Sequence, residues 1–371
     1  DLIYGLPCST FIIEWSILMT WPLLIELSGS AEERGFAYGE QAQSFIERAY
    51  SLYVPAFGLS ENVLRLAVEP YAEIIARYCP ELMAELVAIS RGAGLELWKI
   101  LALNCRTEII RRSAVILAAE INQKEINRLP GECTVIAARQ HPLLCQTWDW
   151  ITGMEELMVL LRVDTEEGPS IVTFTEPGVL GKIGLSSNGL ALSLNILAGI
   201  IPEPGLPTHV LVRRLLGCAT PDEAQEFLSI VPLGAISCIT MLWRDYGLYQ
   251  LEVAGSRFDF RRITDDFYVH TNHFLALPIE NSETEFASSY ARLKRMYELA
   301  PVSSIKQSEL FLGDSCGDYP VCSSPKPDTL LQAGTEVEIA TLARLVMDVE
   351  QGTMSLRRGW RSDAEELGYR V

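Results

Sequence analysis

The stretch Pro130-Gly131-Glu132-Cys133-Thr134-Val135-Ile136-Ala137-Ala138 marks the place where the chain changes texture. Upstream, from about Ser30 to Arg112, apolar side chains recur at helical spacing: Tyr38, Ala42, Phe45 and Tyr50, then Leu82, Leu86 and Ile89 within Pro80–Ser90. Arg91-Gly92-Ala93-Gly94 ends that run, and Leu95–Arg112 reads as the next helix, with Leu97, Ile100, Leu101, Leu103 and Ile109 on its apolar face. Glu120–Gly131 is polar and closes on Pro130-Gly131, the composition of a linker or exposed loop. Downstream, short runs rich in β-branched and aromatic residues alternate with turn residues. Strands are expected at Thr134–Ala138, Leu143–Trp148, Leu157–Val163, Ser170–Thr175, Leu190–Ile196, Ile236–Trp243, Leu248–Val253, Phe267–His270, Ile339–Val349 and Thr353–Arg358. Helices are expected at His209–Leu216, Pro221–Val231 and Glu283–Leu299, the second with Thr220 as N-cap and Glu223 at the capping-box position. Helices first, then mostly antiparallel strands with a few helices, give an α+β fold class.

Composition narrows the function classes. With 371 residues, 49% of them hydrophobic and 21% charged, the chain has ample material for a packed core. The formal net charge of -18 repels phosphate backbones, and no long basic run offsets it, so nucleic acid is not an expected partner. Phe11–Leu27 is apolar but is broken by Glu14, Pro22 and Glu26; it suits a strand or a helix and is too short and interrupted to span a bilayer. The nine cysteines are odd in number, widely spaced and without a C-x-x-C pair. That pattern points to a reducing, cytoplasmic setting with mostly inert thiols, not to a disulfide framework or a zinc site. Common nucleotide, lipase and zincin motifs are absent from the sequence, and no cofactor is expected.

Cys133 is the residue on which the chemistry turns. Cleavage before it would free an α-amino group on the same residue, and an amine with a pKa of about 8 can take the thiol proton without a histidine. A chain with four histidines suits that economy. On its own, a cysteine opening a strand is more often a small buried hydrophobe than a nucleophile.

Four further segments accompany it in order: Asn104-Cys105-Arg106-Thr107-Glu108, Gln146-Thr147-Trp148-Asp149-Trp150, the run Thr175-Glu176-Pro177-Gly178-Val179-Leu180-Gly181-Lys182-Ile183-Gly184 leading to Asn188-Gly189-Leu190 and Leu194-Asn195, and His270-Thr271-Asn272-His273. With Cys133 they make the chain similar, from roughly Leu24 to Arg358, to the acyl-coenzyme A:isopenicillin N acyltransferase family of N-terminal-nucleophile hydrolases. The resemblance implies a four-layer αββα sandwich and a precursor that cleaves itself between Glu132 and Cys133. Residues 1–132 would then be a mainly helical segment and residues 133–371 the segment carrying the nucleophile, the two staying associated as one fold. It also implies roles: Cys133 as nucleophile, first on the Glu132 carbonyl and then on substrate; Asp149 orienting the new α-amino group; Asn272 donating to the oxyanion; Asn195 as a further polar contact at the reacting end of the substrate. The implied substrate is a small acyl-amide, with water, an amine or an acyl-coenzyme A as the other reactant.

The residues also admit plainer readings. Asp149, between two tryptophans, suits a side chain that satisfies main-chain amides, and Asn272 suits a turn. His270 and His273 have H-x-x-H spacing, but no carboxylate or thiol motif beside them completes a metal set, and no metal is expected. Two departures from the family pattern stand out. Glu132 replaces the usual glycine before the cysteine, and Ser323 follows Cys322 where the family has an arginine. The second departure keeps a competing function in view: a non-catalytic or unprocessed binding protein on the same fold.

Overall fold

The computed structural model describes residues 21–121, 133–197, 203–279, 286–300, 302, 304–330 and 335–371. Chain order begins with one strand, β1 (Leu23–Gly29), and six helices: α1 (Ala31–Gln41), α2 (Gln43–Phe57), α3 (Glu61–Tyr78), α4 (Pro80–Ala93), α5 (Leu97–Asn104) and α6 (Arg106–Ile121). Strands follow: β2 (Thr134–Ala138), β3 (Leu143–Ile151), β4 (Val159–Thr165), β5 (Ile171–Thr175), β6 (Ile183–Ser186) and β7 (Leu190–Ile196). Then come α7 (Thr208–Leu216), α8 (Pro221–Ile230), β8 (Ile236–Trp243), β9 (Gly247–Ala254), β10 (Arg257–Ile263) and β11 (Phe267–His270). The chain closes with α9 (Ala287–Leu299), α10 (Ile305–Leu312), β12 (Lys326–Leu330), β13 (Thr335–Asp348), β14 (Thr353–Arg358) and β15 (Glu366–Arg370).

Two sheets form the centre. One runs β1-β4-β5-β6-β7-β8-β9-β10, parallel only at β1–β4; the other runs β11-β2-β3-β13-β14-β15, with β12 also on β13. The sheets face each other, β2 and β3 against β7 and β14 against β6. Helix α7 lies on β6, β7 and β8, while α9 covers β2 and β11 and α10 covers β3 and β13. The order helix, sheet, sheet, helix is the four-layer αββα arrangement. Strands β2, β3, β5, β6 and β8 are buried along their whole length because both faces are covered. That is why none of them has an exposed polar face, and β3 buries Gln146, Thr147 and Asp149 along with its apolar residues.

Several sequence expectations shift. Leu95–Arg112 is two helices, not one: the chain kinks at Cys105, where the Asn104 side chain turns out to a neighbouring loop. The strand expected at Leu157–Val163 starts at Val159, after a short 3-10 turn over Thr152–Leu157. Thr220 caps α8 through Glu223 N–H, but the Glu223 carboxylate accepts from Ala219 N–H at 2.8 Å, so the reciprocal half of the capping box is displaced by one residue. The complete box is instead at Ser30 and Glu33. Within Phe11–Leu27, the described part is strand from Leu23 onward. The expected linker Glu120–Gly131 lies almost wholly outside the described residues, as does the start of the helix expected at Glu283. No helix among the described residues is long and apolar enough to cross a membrane.

Candidate active site

Cys133 is the residue immediately before β2, at the edge of the inter-sheet space and 5% exposed. Its carbonyl oxygen is held from two layers at once: Asn195 Nδ2 on β7 donates at 3.0 Å and Arg292 Nη1 on α9 donates at 3.0 Å. The next residue is pinned as well. Thr134 N–H donates to Thr147 Oγ1 at 3.0 Å, and the Thr134 hydroxyl accepts from Arg292 Nη1 at 2.8 Å. Burial pushes the Cys133 thiol up to about 11, and the Asp149 carboxylate adds to that. Lys182, the Asp149 main-chain N–H and Arg292 pull the other way. At neutral pH the thiol in this setting is therefore protonated and needs a base.

Asp149 is buried in β3, opposite Thr341 of β13. Gln146 of the same strand reaches across to the other sheet: its Nε2 donates to Leu194 O at 2.6 Å and its Oε1 accepts from Leu194 N–H at 3.0 Å. This amide bridge locks β3 over β7 one residue from Asn195. Ser323 is also buried: its N–H donates to Thr341 Oγ1 at 2.8 Å and its carbonyl accepts from Thr341 N–H at 2.9 Å, so position 323 is one strand away from Asp149.

The His270–His273 segment continues β11 and is fastened to the start of α9. Asn272 N–H donates to Ser289 Oγ at 2.7 Å. Its side chain bridges two elements: Nδ2 donates to Ile196 O at 2.9 Å and Oδ1 accepts from Arg292 Nη2 at 2.9 Å. Arg292 thus ties the Cys133 carbonyl to the Asn272 amide. His270 Nε2 meets Glu252 Oε1 at 3.0 Å, and the same carboxylate accepts from the N–H groups of Leu275, Ala276 and Leu277. Burial works against charge on His270, yet Cys238 and Glu252 hold its pKa up to about 10. His273 sits on Ser289 Oγ and stacks on Tyr290. Among the described residues no cluster of three metal-ligating groups occurs.

Behind the cysteine lies a buried charged cluster that accounts for two of the recurring segments. Glu176 accepts from Arg106 Nη2, from Lys182 Nζ at 2.8 Å and from Tyr53 Oη at 2.5 Å. Tyr53 Oη in turn accepts from Arg106 Nε at 2.9 Å and Trp150 Nε1 at 2.6 Å. Burial alone would raise the Glu176 pKa; Arg106, Lys182 and His209 outweigh it and bring it to about 2. The Glu176–Leu180 turn is braced by Asn104, which donates to Gly178 O and accepts from Leu180 N–H. Gly178 has φ +77, a conformation that costs a glycine nothing. Glu108 accepts from both N–H and Oγ1 of Thr208, which fixes the start of α7.

These groups meet at a cavity of about 20 Å³, room for roughly one water, lined by Cys133, Asp149, Lys182 and Arg106 with Trp148, Trp150, Leu194 and Ile196. The Lys182 ammonium lies 3.6 Å from the centre of the Trp148 ring. Of the four residues singled out from sequence, Cys133 and Asp149 share this cavity; Asn195 and Asn272 bracket it through the Cys133 carbonyl and Arg292. Glu132 lies outside the described residues. Sequence reasoning missed Arg292, which sits mid-helix in an ordinary amphipathic run and carries no local signal. It also gave no role to Lys182, Arg106, Glu176 or Gln146, although all four stand inside the segments that attracted notice.

Comparison with known proteins shows the family. Residues 137–356, well over half of the chain, match the acyl-coenzyme A:6-aminopenicillanic acid acyl-transferase family. The 40 kDa form of acyl-coenzyme A:6-aminopenicillanic-acid-acyltransferase from Emericella nidulans is 27% identical over 316 residues, 81% of this chain and 83% of that protein. Among solved structures, a variant of conjugated bile acid hydrolase from Clostridium perfringens aligns with TM-score 0.44 and 9% identity, covering 64% of this chain and 92% of that one. Penicillin V acylase from Agrobacterium tumefaciens aligns with TM-score 0.39 and 12% identity, covering 64% and 86%. The family match begins just after the cysteine and includes Asp149, Lys182, Asn195, Asn272 and Arg292, and this chain belongs to the acyl-coenzyme A:6-aminopenicillanic acid acyl-transferase family, enzymes that act on amide C–N bonds.

Proposed function

We propose that this chain is a self-processing cysteine enzyme that cleaves or transfers the acyl group of a small amide through an acyl-thioester on Cys133. Cleavage between Glu132 and Cys133 divides it into segments 1–132 and 133–371, which stay together because β1 of the first is hydrogen-bonded to β4 of the second along seven residue pairs. The observation that carries the reading is the setting of Cys133. Cys133 lines one small cavity together with Asp149, and its own carbonyl is clamped by Asn195 and Arg292. A residue fixed this firmly at its carbonyl presents its nitrogen and sulfur in one orientation, as an N-terminal nucleophile requires.

In the mature form the α-amine takes the thiol proton, with the Asp149 carboxylate orienting the resulting ammonium. The thiolate attacks the substrate carbonyl, and Asn272 donates to the oxyanion, a contribution of about 3–4 kcal/mol for donors of this kind. The amine leaves, and water, another amine or the free thiol of coenzyme A attacks the thioester, taking the acyl group and releasing the Cys133 thiol. Position 323 lacks the arginine expected of the family, and Arg292 supplies a buried cation beside Cys133 and Asn272 instead. Incubation with a panel of acyl-amides followed by intact-mass measurement tests the proposal. The fragment that begins at Cys133 should gain the mass of the acyl group, and Cys133→Ala should gain nothing. An acyl adduct on another residue, or turnover by Cys133→Ala, would overturn it.

A further inference from the structure

Self-cleavage poses a proton problem that mature turnover does not. Before cleavage the Cys133 nitrogen is an amide and accepts no proton, while burial keeps the thiol protonated at neutral pH. We propose that Lys182 takes the Cys133 thiol proton through one water and returns it to the departing nitrogen, an inference that rests on the self-cleaving reading above. Cys133, Asp149 and Lys182 line one cavity sized for a single water, which gives that water the polar partners it needs.

The cluster around Lys182 favours its release of a proton. Arg106 and Lys182 share one carboxylate oxygen, Glu176 Oε1. A guanidinium does not give up its proton, so the spare charge can leave only from the lysine. A neutral Lys182 leaves Arg106 and Glu176 as a balanced pair. Burial pushes the Lys182 pKa down, Glu176 pulls it up and Arg106 pushes it down again, to about 8. The other groups facing it are the Trp148 and Trp150 rings, Cys133, and His209 behind Arg106. His209 is not the base: its Nδ1 is turned to Gly181 O at 3.2 Å and its Nε2 abuts Arg106. Asp149, which lines the same cavity, keeps the orienting role proposed above.

The step balances. The thiol proton passes to water and a water proton to Nζ; the thiolate adds to the Glu132 carbonyl carbon. The bond to the Cys133 nitrogen breaks as the Lys182 ammonium protonates it, giving a thioester and a free amine. One further water hydrolyses the thioester to the Glu132 carboxylate and the Cys133 thiol.

The test is the self-cleavage rate of the freshly folded full chain, followed by intact mass from about pH 6 to 10. Wild type should accelerate about tenfold per pH unit up to about 8 and then level off, since the free amine is then fully formed. Lys182→Arg keeps a cation opposite Glu176 but accepts no proton. It should melt like wild type and cleave ~100-fold or more slowly at pH 8, with no plateau; Lys182→Met should be equally slow. A wild-type rate that climbs without a break toward the thiol's own value of about 11 overturns the role of Lys182, whether or not the variants fold. So does Lys182→Arg cleaving at the wild-type rate. Either result leaves self-cleavage standing, whereas a wild-type chain that never cleaves overturns both readings.

Discussion

Replacing Arg292 by methionine is the perturbation whose cost the structure defines best. The guanidinium is 1% exposed and donates to Cys133 O, Thr134 Oγ1, Asn272 Oδ1 and Ser288 Oγ. Methionine refills the aliphatic volume, so the cavity contribution is small. Cys133 O keeps Asn195 as a donor, but Thr134 Oγ1 and Asn272 Oδ1 lose a buried partner. Two stranded acceptors at about 1–3 kcal/mol each give roughly 2–6 kcal/mol, and removing a desolvated cation returns part of it. A net loss of about 3 kcal/mol, set against an unfolding entropy of about 2.1 cal/mol/K per residue, lowers Tm by about 4 °C for a chain of this size. The effect on catalysis is larger, because Arg292 fixes the nucleophile and the oxyanion donor relative to each other: kcat per titrated thiol should fall at least ~100-fold. Arg292→Lys restores a charge but cannot span the Cys133 carbonyl and the Asn272 amide together, so it should recover Tm more than kcat. Calorimetry and active-site titration on the same preparation decide it. Wild-type Tm and wild-type kcat in Arg292→Met would refute the reasoning.

Asn272→Ala should lower kcat by ~100-fold with a much smaller change in KM, measured as steady-state kinetics per titrated site; equal kcat would leave Asn272 as a structural bridge between Ile196 and Arg292. Glu252→Gln should lower both Tm and kcat. A neutral amide cannot serve His270 and three successive main-chain N–H groups, and the segment they fasten carries Asn272. Unchanged melting and kinetics would remove Glu252 from this role. Acid should destabilise the chain through Glu176, whose pKa falls from 4.5 to about 2 in the fold. A depressed carboxylate contributes stability that is present above its unfolded value and is lost as pH falls through the folded one, so the urea midpoint should drop between about pH 4.5 and 2. Glu176→Gln should flatten that drop, and an equally steep loss in the variant would contradict the assignment.

The α+β class was legible because both kinds of period are strong in the sequence, whereas the four-layer order was an implication of the family resemblance. Helical spacing upstream and short β-rich runs downstream reflect which faces are buried. What escaped notice has identifiable causes. Strand β10, Arg257–Ile263, is an outer strand with mostly uncovered faces, so its charged, alternating residues look like a loop. Strand β6 hides behind Gly181 and Gly184; a Cβ on Gly184 would come within 2.6 Å of Val172 O, so the glycine reports close strand packing, not a turn. The kink at Cys105 depends on Asn104 bonding to residues more than seventy positions away, which no local window contains. In the candidate site, residues embedded in distinctive segments could be found by eye, whereas Arg292 could not. Its importance comes from where α9 lies, and α9 is placed by its packing on β2 and β11.

The central claim is that Cys133 becomes an N-terminal nucleophile, and N-terminal sequencing of the purified active chain tests it most directly. The account predicts that half or more of the termini read Cys-Thr-Val-Ile, that intact mass shows two fragments divided between Glu132 and Cys133, and that Cys133→Ala remains one uncut chain. A preparation that turns over an acyl-amide while every molecule retains the Glu132–Cys133 bond would contradict it.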